Sequence, residues 1–208
     1  MGLVITAMIM ESDGNSNKES LVRFLSCTNH LTHAQSVEVS ETFQYKHINK
    51  NDYLLEEGRV ANEYYFLQEG FLRSYVYDVL GNDITTHFYK PQQPVFEVSS
   101  FFTRSKSKEN IQAITSCSGW YISFDQLNSL FHSHPQFREF GRTILVKGFA
   151  DLKGRMLLML TETAEKRYQE LLTSNPELLK YASLKHIATY LGITDTSLSR
   201  IRKEYSRK

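Results

Sequence analysis

The period of the apolar residues changes twice along this chain, and the two changes divide it. Between about Leu21 and Phe43 the pattern is mixed, with Leu21, Phe24 and Leu25 at helical spacing. After that come YLLEEG, EYYFLQEGFLRSYVYD and DITTHFYKP, rich in Tyr, Phe, Val, Ile and Thr and cut by Gly58, Gly70 and the Gly81-Asn82 pair at hairpin intervals. Further strands are expected at about 111–116 and 119–124, so residues 43–125 should form an antiparallel double-sheet jelly roll or a similar barrel. Beyond Asp125 the period becomes helical. Pro135 suits a first turn, where its missing amide costs nothing, and no breaker follows until about Leu160. Leu145, Phe149, Leu152, Met156 and Met159 recur at steps of four and three, a seam that another helix should cover. A symmetric homodimer supplies that helix most simply; the alternative is that the seam packs on the chain's own roll. A further helix is expected over 162–173, ending in Ser174-Asn175-Pro176.

The last patterned stretch, SLKHIATYLGITDTSLSRIRK, runs from Ser183 to Lys203 and reads as two short helices joined by a tight turn. Ser183 and Thr194 are placed to cap them, and Gly192 supplies the left-handed residue between them. Leu184, Ile187, Ala188 and Leu191 on the first helix, with Leu198, Ile201 and Tyr205 on the second, fall on one inner face. Thr196, Arg200 and Lys203 then point outward, flanked by Ser197 and Ser199. This is the helix-turn-helix pattern.

An ordinary helical hairpin also carries a solvated polar face, and charge is what separates the two readings. Residues 180–208 hold seven basic side chains (Lys180, Lys185, Arg200, Arg202, Lys203, Arg207 and Lys208) against Asp195 and Glu204, although the 208-residue chain is only +1 overall. Residues 1–130 carry ten basic and fifteen acidic side chains, so positive charge is concentrated at the C-terminal end, which points to an anionic partner there. In such a motif the second helix enters the major groove with its first residues at base edges. Thr196, Ser197 and Arg200 are the candidates for base contacts, arginine offering the fork that suits guanine. Lys185, Thr194, Ser199, Arg202 and Lys203 complete the expected double-stranded DNA surface.

At 41% hydrophobic and 12% aromatic the chain has enough apolar material for a packed core. The expected class is α+β, with a disordered extension over 1–20, a jelly roll over 21–133, a dimerisation helix over 134–160 and a helix-turn-helix domain over 161–208. The opening GLVITAMIM is too short to span a membrane and has no basic leader, so no membrane partner is expected. Two cysteines, Cys27 and Cys117, are too few for a cluster or a disulfide scaffold and suit a reducing cytoplasm.

A roll, a long helix and a C-terminal helix-turn-helix, in that order, resemble the Crp/Fnr family of bacterial transcription regulators from about residue 20 onward. The likeness is carried by Glu57-Gly58, the YYFLQEGFLR run with Gly70, Phe96-Glu97 in PVFEVSSFF, and HIATYLGITDTSLSRIRK. The last looks like the recognition motif of the family's short members, which lack a full wing. The resemblance implies a cyclic-nucleotide-binding-type roll, a dimerising helix and sequence-specific DNA binding, with RNA polymerase as a further partner where binding activates. It also supplies a candidate ligand set: Phe96, Glu97, Ser99, Ser107 and Lys108. Members that bind cyclic AMP hold its ribose with a glycine-glutamate pair and its phosphate with an arginine-serine pair some ten residues on. Here Val-Pro-Phe precedes Glu97 and the later pair falls at about Ser107-Lys108, without arginine. A buried phosphate without its bidentate guanidinium loses its strongest contact, so cyclic AMP is not expected, and no cofactor is assigned.

No enzyme is expected either. A metal-dependent roll of the cupin kind needs a compact His-x-His with a following glutamate inside the strands, whereas His132-x-His134 lies at the entrance to the long helix. His30, His33, His47, His87 and His186 form no such pattern, and no nucleophile-base pair or phosphate loop is present. Two functions remain. One is a homodimeric DNA-binding regulator; the other is a ligand-binding sensor whose C-terminal hairpin docks a protein.

Overall fold

The structure, a computed structural model, describes residues 18–205. Two helices open it, α1 (Glu19–Ser26) and α2 (His33–Ser40). Thr32 starts α2 with a full capping box to Gln35, which serves two otherwise unpaired first-turn amides. Eight strands follow: β1 (Gln44–Ile48), β2 (Tyr53–Leu55), β3 (Glu63–Glu69), β4 (Leu72–Tyr77), β5 (Asp83–Tyr89), β6 (Gln93–Val95), β7 (Asn110–Ala113) and β8 (Cys117–Ser123). A short helix α3 (Val98–Thr103) interrupts them after β6. The rest is helical: α4 (Phe124–Ser133), α5 (Pro135–Thr161), α6 (Ala164–Ser174), α7 (Leu178–Tyr181), α8 (Leu184–Tyr190) and α9 (Asp195–Tyr205).

All strand pairs are antiparallel, in two four-stranded sheets of order β1-β8-β3-β6 and β2-β7-β4-β5. Strands far apart in sequence alternate within each sheet, which is the jelly-roll connection expected above. The consecutive strands β3 and β4 go to different sheets, and Tyr64 to Gln68 and Leu72 to Tyr75 are buried without alternation. Phe24 of α1 stacks on Phe66 at 4.9 Å and meets Phe140 of α5 edge-on at 5.4 Å. Gln68, polar in this apolar layer, accepts from Ser20 Oγ at 3.2 Å and Trp120 Nε1 at 2.8 Å, so its burial leaves no acceptor bare.

Residues 1–17, most of the expected extension, lie outside the described residues. The extension does not run to residue 20: α1 begins at Glu19, and Ser20 is already buried against Gln68. The helices α3 and α7, both only a turn or so long, and the strands β1 and β6 were not singled out by the sequence pattern. Such short helices have no period to read and form only where packing supports them.

Gly119 shows how closely the layers meet. A Cβ there would fall on the Phe66 carbonyl and lie 2.8 Å from the Tyr65 ring, both in the adjacent strand β3. Gly154, on the open side of α5, has nothing within 4 Å of an added Cβ. In urea unfolding, Gly119→Ala should therefore lose about 1–3 kcal/mol or more through overpacking. Gly154→Ala should gain about 0.5–1 kcal/mol through helix propensity.

Candidate functional site

The C-terminal hairpin is built from its caps inward. Ser183 Oγ accepts from the His186 amide at 3.2 Å and Thr194 Oγ1 from the Ser197 amide at 3.2 Å, starting α8 and α9. Gly192 joins them at φ 66°, where a side chain would be strained and would also strike the Met159 methyl. Ile187, Ala188, Leu191, Leu198 and Ile201 are buried together with Tyr168, Leu171 and Leu178. Leu184 and Tyr205, assigned to this core by spacing, are instead 41% and 47% exposed. They sit at the outer ends of α8 and α9, beyond the crossing, and Tyr205 only meets the edge of the Tyr168 ring at 6.1 Å.

Outward, Thr196, Ser199, Arg200, Arg202 and Lys203 of α9 and Lys185 of α8 are exposed, and Ser197 is half-buried. Thr194 is exposed too, but its hydroxyl is committed to the cap and lies 2.9 Å from that of Thr196 and 3.0 Å from that of Ser197. These hydroxyls are thus gathered at the start of α9.

Along α5, Leu145, Phe149, Leu152 and Met156 are exposed, Phe149 by 69% and Leu152 by 60%, so the chain's own roll does not cover them. Val146, Leu157 and Leu160 widen the apolar stripe. Met159 differs: it is half-buried, with its methyl turned to Gly192, because the hairpin's turn folds back onto the end of α5.

Inside the roll the expected ligand residues are divided. Phe96 and Glu97 border a cleft of about 230 Å³ with Tyr53, Glu56 and Arg59, but Ser99, Ser107 and Lys108 do not. Glu97 caps α3, accepting from the amides of Ser99 at 3.0 Å and Ser100 at 2.5 Å. The Phe96 ring sits in an aromatic cluster with Tyr64 and Phe101. Ser107 is buried, its hydroxyl closed on Glu109 N and O at 3.0 and 2.8 Å. Ser99 and Lys108 are exposed. Arg104 donates to Ala61 O at 2.8 Å and to Asn62 Oδ1 and lies 4.1 Å over the Phe124 ring, while Arg59, whose carbonyl accepts from the Ser107 amide at 2.7 Å, lines the cleft beside Glu97.

The structure brings forward residues that sequence reasoning missed. Burial pushes the Glu109 carboxyl above its usual range, against hydrogen bonds from Thr86 and Ser74 that lower it, and neighbouring Glu97 raises it further. Tyr89 is likewise pushed up by burial, with Glu109 and Glu97 adding to the effect. The interior is therefore acidic. Among the described residues no group of three or more His, Cys, Asp and Glu side chains gathers as a metal site. Burial raises both cysteine thiols, leaving them protonated near neutral pH.

A second cluster joins roll to hairpin. Arg73 of β4, 4% exposed, bonds Asp83 Oδ2 at 3.1 Å and Thr85 Oγ1 at 3.2 Å, and Asp83 lies 3.8 Å from His186 Nε2 of α8. Burial, then the Arg73 charge, pulls His186 below its usual value, so it is neutral near pH 7. Phe71 stacks on Tyr181 at 5.1 Å and Phe88 meets Tyr190 at 5.0 Å. The one sequence sign of this junction was arginine inside the strand LRSYVY, where it costs burial unless paired.

Residues 45–134 match the family model described as the cyclic nucleotide-binding domain. Among solved structures, FixK2 from Bradyrhizobium japonicum superposes with TM-score 0.68 at 18% identity, covering 79% of this chain and 85% of that one. A structure from Eubacterium rectale assigned to the Crp/Fnr family gives 0.68 at 16% identity, covering 88% of each. The regulator CLP from Xanthomonas campestris, described as responsive to c-di-GMP, gives 0.64 at 14%, covering 80% and 88%. No curated protein sequence matches the chain. The roll is thus of the cyclic nucleotide-binding type, and the chain has the fold of Crp/Fnr-type regulators.

One titration follows from the interior. A carboxyl whose folded-state value is raised favours the fold while protonated and penalises it once ionised, so its contribution is lost as pH rises through the folded value. Glu109→Gln should therefore melt above the parent at pH 7, with the gain shrinking as pH falls into the carboxylate range, read by thermal unfolding at each pH.

Proposed function

We propose that this protein is a sequence-specific DNA-binding transcription regulator of the Crp/Fnr type, acting as a homodimer. The observation that carries the reading is the division of one helix: Leu198 and Ile201 of α9 are buried while Thr196, Ser199, Arg200 and Lys203 face solvent. A helix so divided offers donors to a groove without giving up its core, and its basic setting supplies attraction to phosphates. Support for the dimer comes from the uncovered α5 stripe, since exposed apolar area of this length on one helix face is the material of a helix-helix seam. Two copies would present two recognition helices, so the target is a palindrome.

The roll is the sensing part, and its residues do not fit a cyclic phosphate. Ser107 takes the place where a guanidinium is wanted and is spent on its own turn, Arg104 is spent on Ala61 and Asn62, and Glu109 adds a carboxylate nearby. Arg59 is the guanidinium among the cleft's lining residues, but Glu56, Glu63 and Glu97 share that wall, so an anion entering there would meet an excess of like charge. The protein is read as a regulator without enzymatic activity, working in the cytoplasm. Among the described residues no helix is long and apolar enough to cross a membrane.

The competing reading, a sensor whose hairpin docks a protein, separates at the salt dependence. Affinity for duplex DNA should fall steeply as salt rises from 50 to 200 mM, by about three orders of magnitude or more if six phosphates are neutralised. A gentle slope favours the protein partner. In gel-shift titrations Arg200→Ala should cost about 1–3 kcal/mol and relax the preference at one base pair, while Lys203→Ala weakens all sequences alike. Undiminished selectivity in Arg200→Ala would remove arginine from the reading head. Phe149→Glu should shift the molecule from dimer to monomer in sedimentation, because it places a charge in the middle of the stripe; an unchanged dimer would put the interface elsewhere.

A further inference from the structure

The end of α8 is held from outside the hairpin. Tyr190 closes that helix, where carbonyls have no partner further along. Its carbonyl accepts from Arg155 Nη2 of α5 at 3.3 Å, and the guanidinium lies 4.2 Å over the Tyr190 ring. The next carbonyl, Leu191, accepts from Arg167 Nε of α6 at 3.1 Å. Each arginine has a second hold. Arg155 Nη1 donates to the Thr86 carbonyl at 2.5 Å; Ser74 pairs with His87 and Tyr75 with Thr85, so Thr86 is the extra residue of a bulge in the β4–β5 ladder. Arg167 Nη1 donates to the Glu162 carbonyl at 2.6 Å, and Glu162 is the residue that ends α5. The two guanidinia thus tie the end of α8 to α5, one at the turn that carries Arg155 and one at the C-terminus. The Met159 methyl, also from α5, meets Gly192 between α8 and α9.

We propose that Arg155 and Arg167 are positioning residues that fix how far apart two paired copies hold their recognition helices, and so set the half-site spacing that the dimer accepts. Arg155 lies within one turn of Leu152 and Met156 of the exposed apolar stripe, so α8 is referred to the seam at the place where a partner helix would pack. A guanidinium suits the task. Its planar fork serves two carbonyls in one fixed geometry, and its charge complements the negative end of the α8 dipole. Half-sites of such a motif lie about 34–36 Å apart. Two heads held at a fixed separation engage the second half-site already ordered; heads free to swing lose that advantage and tolerate other spacings. Neither arginine belongs to the outward face of α9, so an isolated half-site is indifferent to both. The inference deepens the reading of the chain as a dimeric DNA-binding regulator and rests on it for the dimer and its target.

The probes are a palindromic duplex selected by the full-length protein from a random-sequence library, a single half-site, and palindromes with one base pair added or removed at the centre. In gel-shift titrations Arg155→Gln should leave half-site affinity within about twofold, weaken the palindrome about tenfold, and bring the altered spacings to within about twofold of the selected one. A merely structural arginine would lower every duplex by one factor, through the folded fraction, and keep the spacing preference. That result, or unchanged palindrome binding, overturns the proposal. Arg167→Gln should act in the same sense, and it decides if Arg155→Gln fails to fold. A second readout uses no DNA. Nitroxide labels at Lys50→Cys on the roll and Glu204→Cys on α9, both exposed positions, are placed in a Cys27→Ser background diluted with unlabelled chain. Pulsed dipolar distances within one chain should be narrow in the parent and broadened in Arg155→Gln. Unchanged widths overturn the positioning role. A parent that fails to bind duplex DNA overturns the function proposed above and leaves the distance measurement intact.

Discussion

Arg155 serves two carbonyls at once: that of Thr86, the extra residue of a strand bulge, and one that ends a helix. A helix terminus set against a protein surface is costly while its last carbonyls are bare, and a planar cation there meets both the hydrogen-bonding need and the negative end of the helix dipole. Arg167 does the same for Leu191. These caps let α8 end against β5 beside the apolar cluster in which Phe71, Phe88 and Ile114 are buried with Tyr168, Leu178 and Ile187. A pair of arginines outside the hairpin thus serves the end of its first helix.

The junction so made is cohesive but not fully satisfied. Arg73 Nε, Asp83 Oδ1 and His186 Nδ1 are buried there without a protein partner. Unpaired groups of this kind cost about 1–3 kcal/mol each where water does not reach them, which offsets part of what the apolar cluster contributes. The roll's interior has no such looseness around Glu97 and Ser107, whose polar atoms are closed on their own loops.

On the outer surface the same economy appears in α9. One turn in two is anchored by Leu198 and Ile201, so the alternate positions keep their donors without side-chain burial. The hydroxyls of Thr194, Thr196 and Ser197 hold one another at the helix start, which limits their freedom before any partner arrives. Preordering of that kind lowers the entropy lost on binding.

The Gly-punctuated strands, the Pro135 start of α5, the Ser183 and Thr194 caps and the Gly192 turn were all legible in the chain, because each depends on neighbours within a few residues. So was the divided face of α9, which is a matter of helical period alone. What the sequence could not disclose was contact between distant segments. Met159 belongs to the α5 seam by spacing, yet it turns to Gly192 because the hairpin folds back over it. Ser107 looked like half of a ligand pair until its loop closed on the Glu109 backbone, and Thr86 and Arg155 carry no common motif that would draw them together. Local pattern determined which elements form and which faces are apolar; only the tertiary structure decided which unpaired carbonyls and carboxylates meet, since that depends on where a bulge and a helix end come to rest in space.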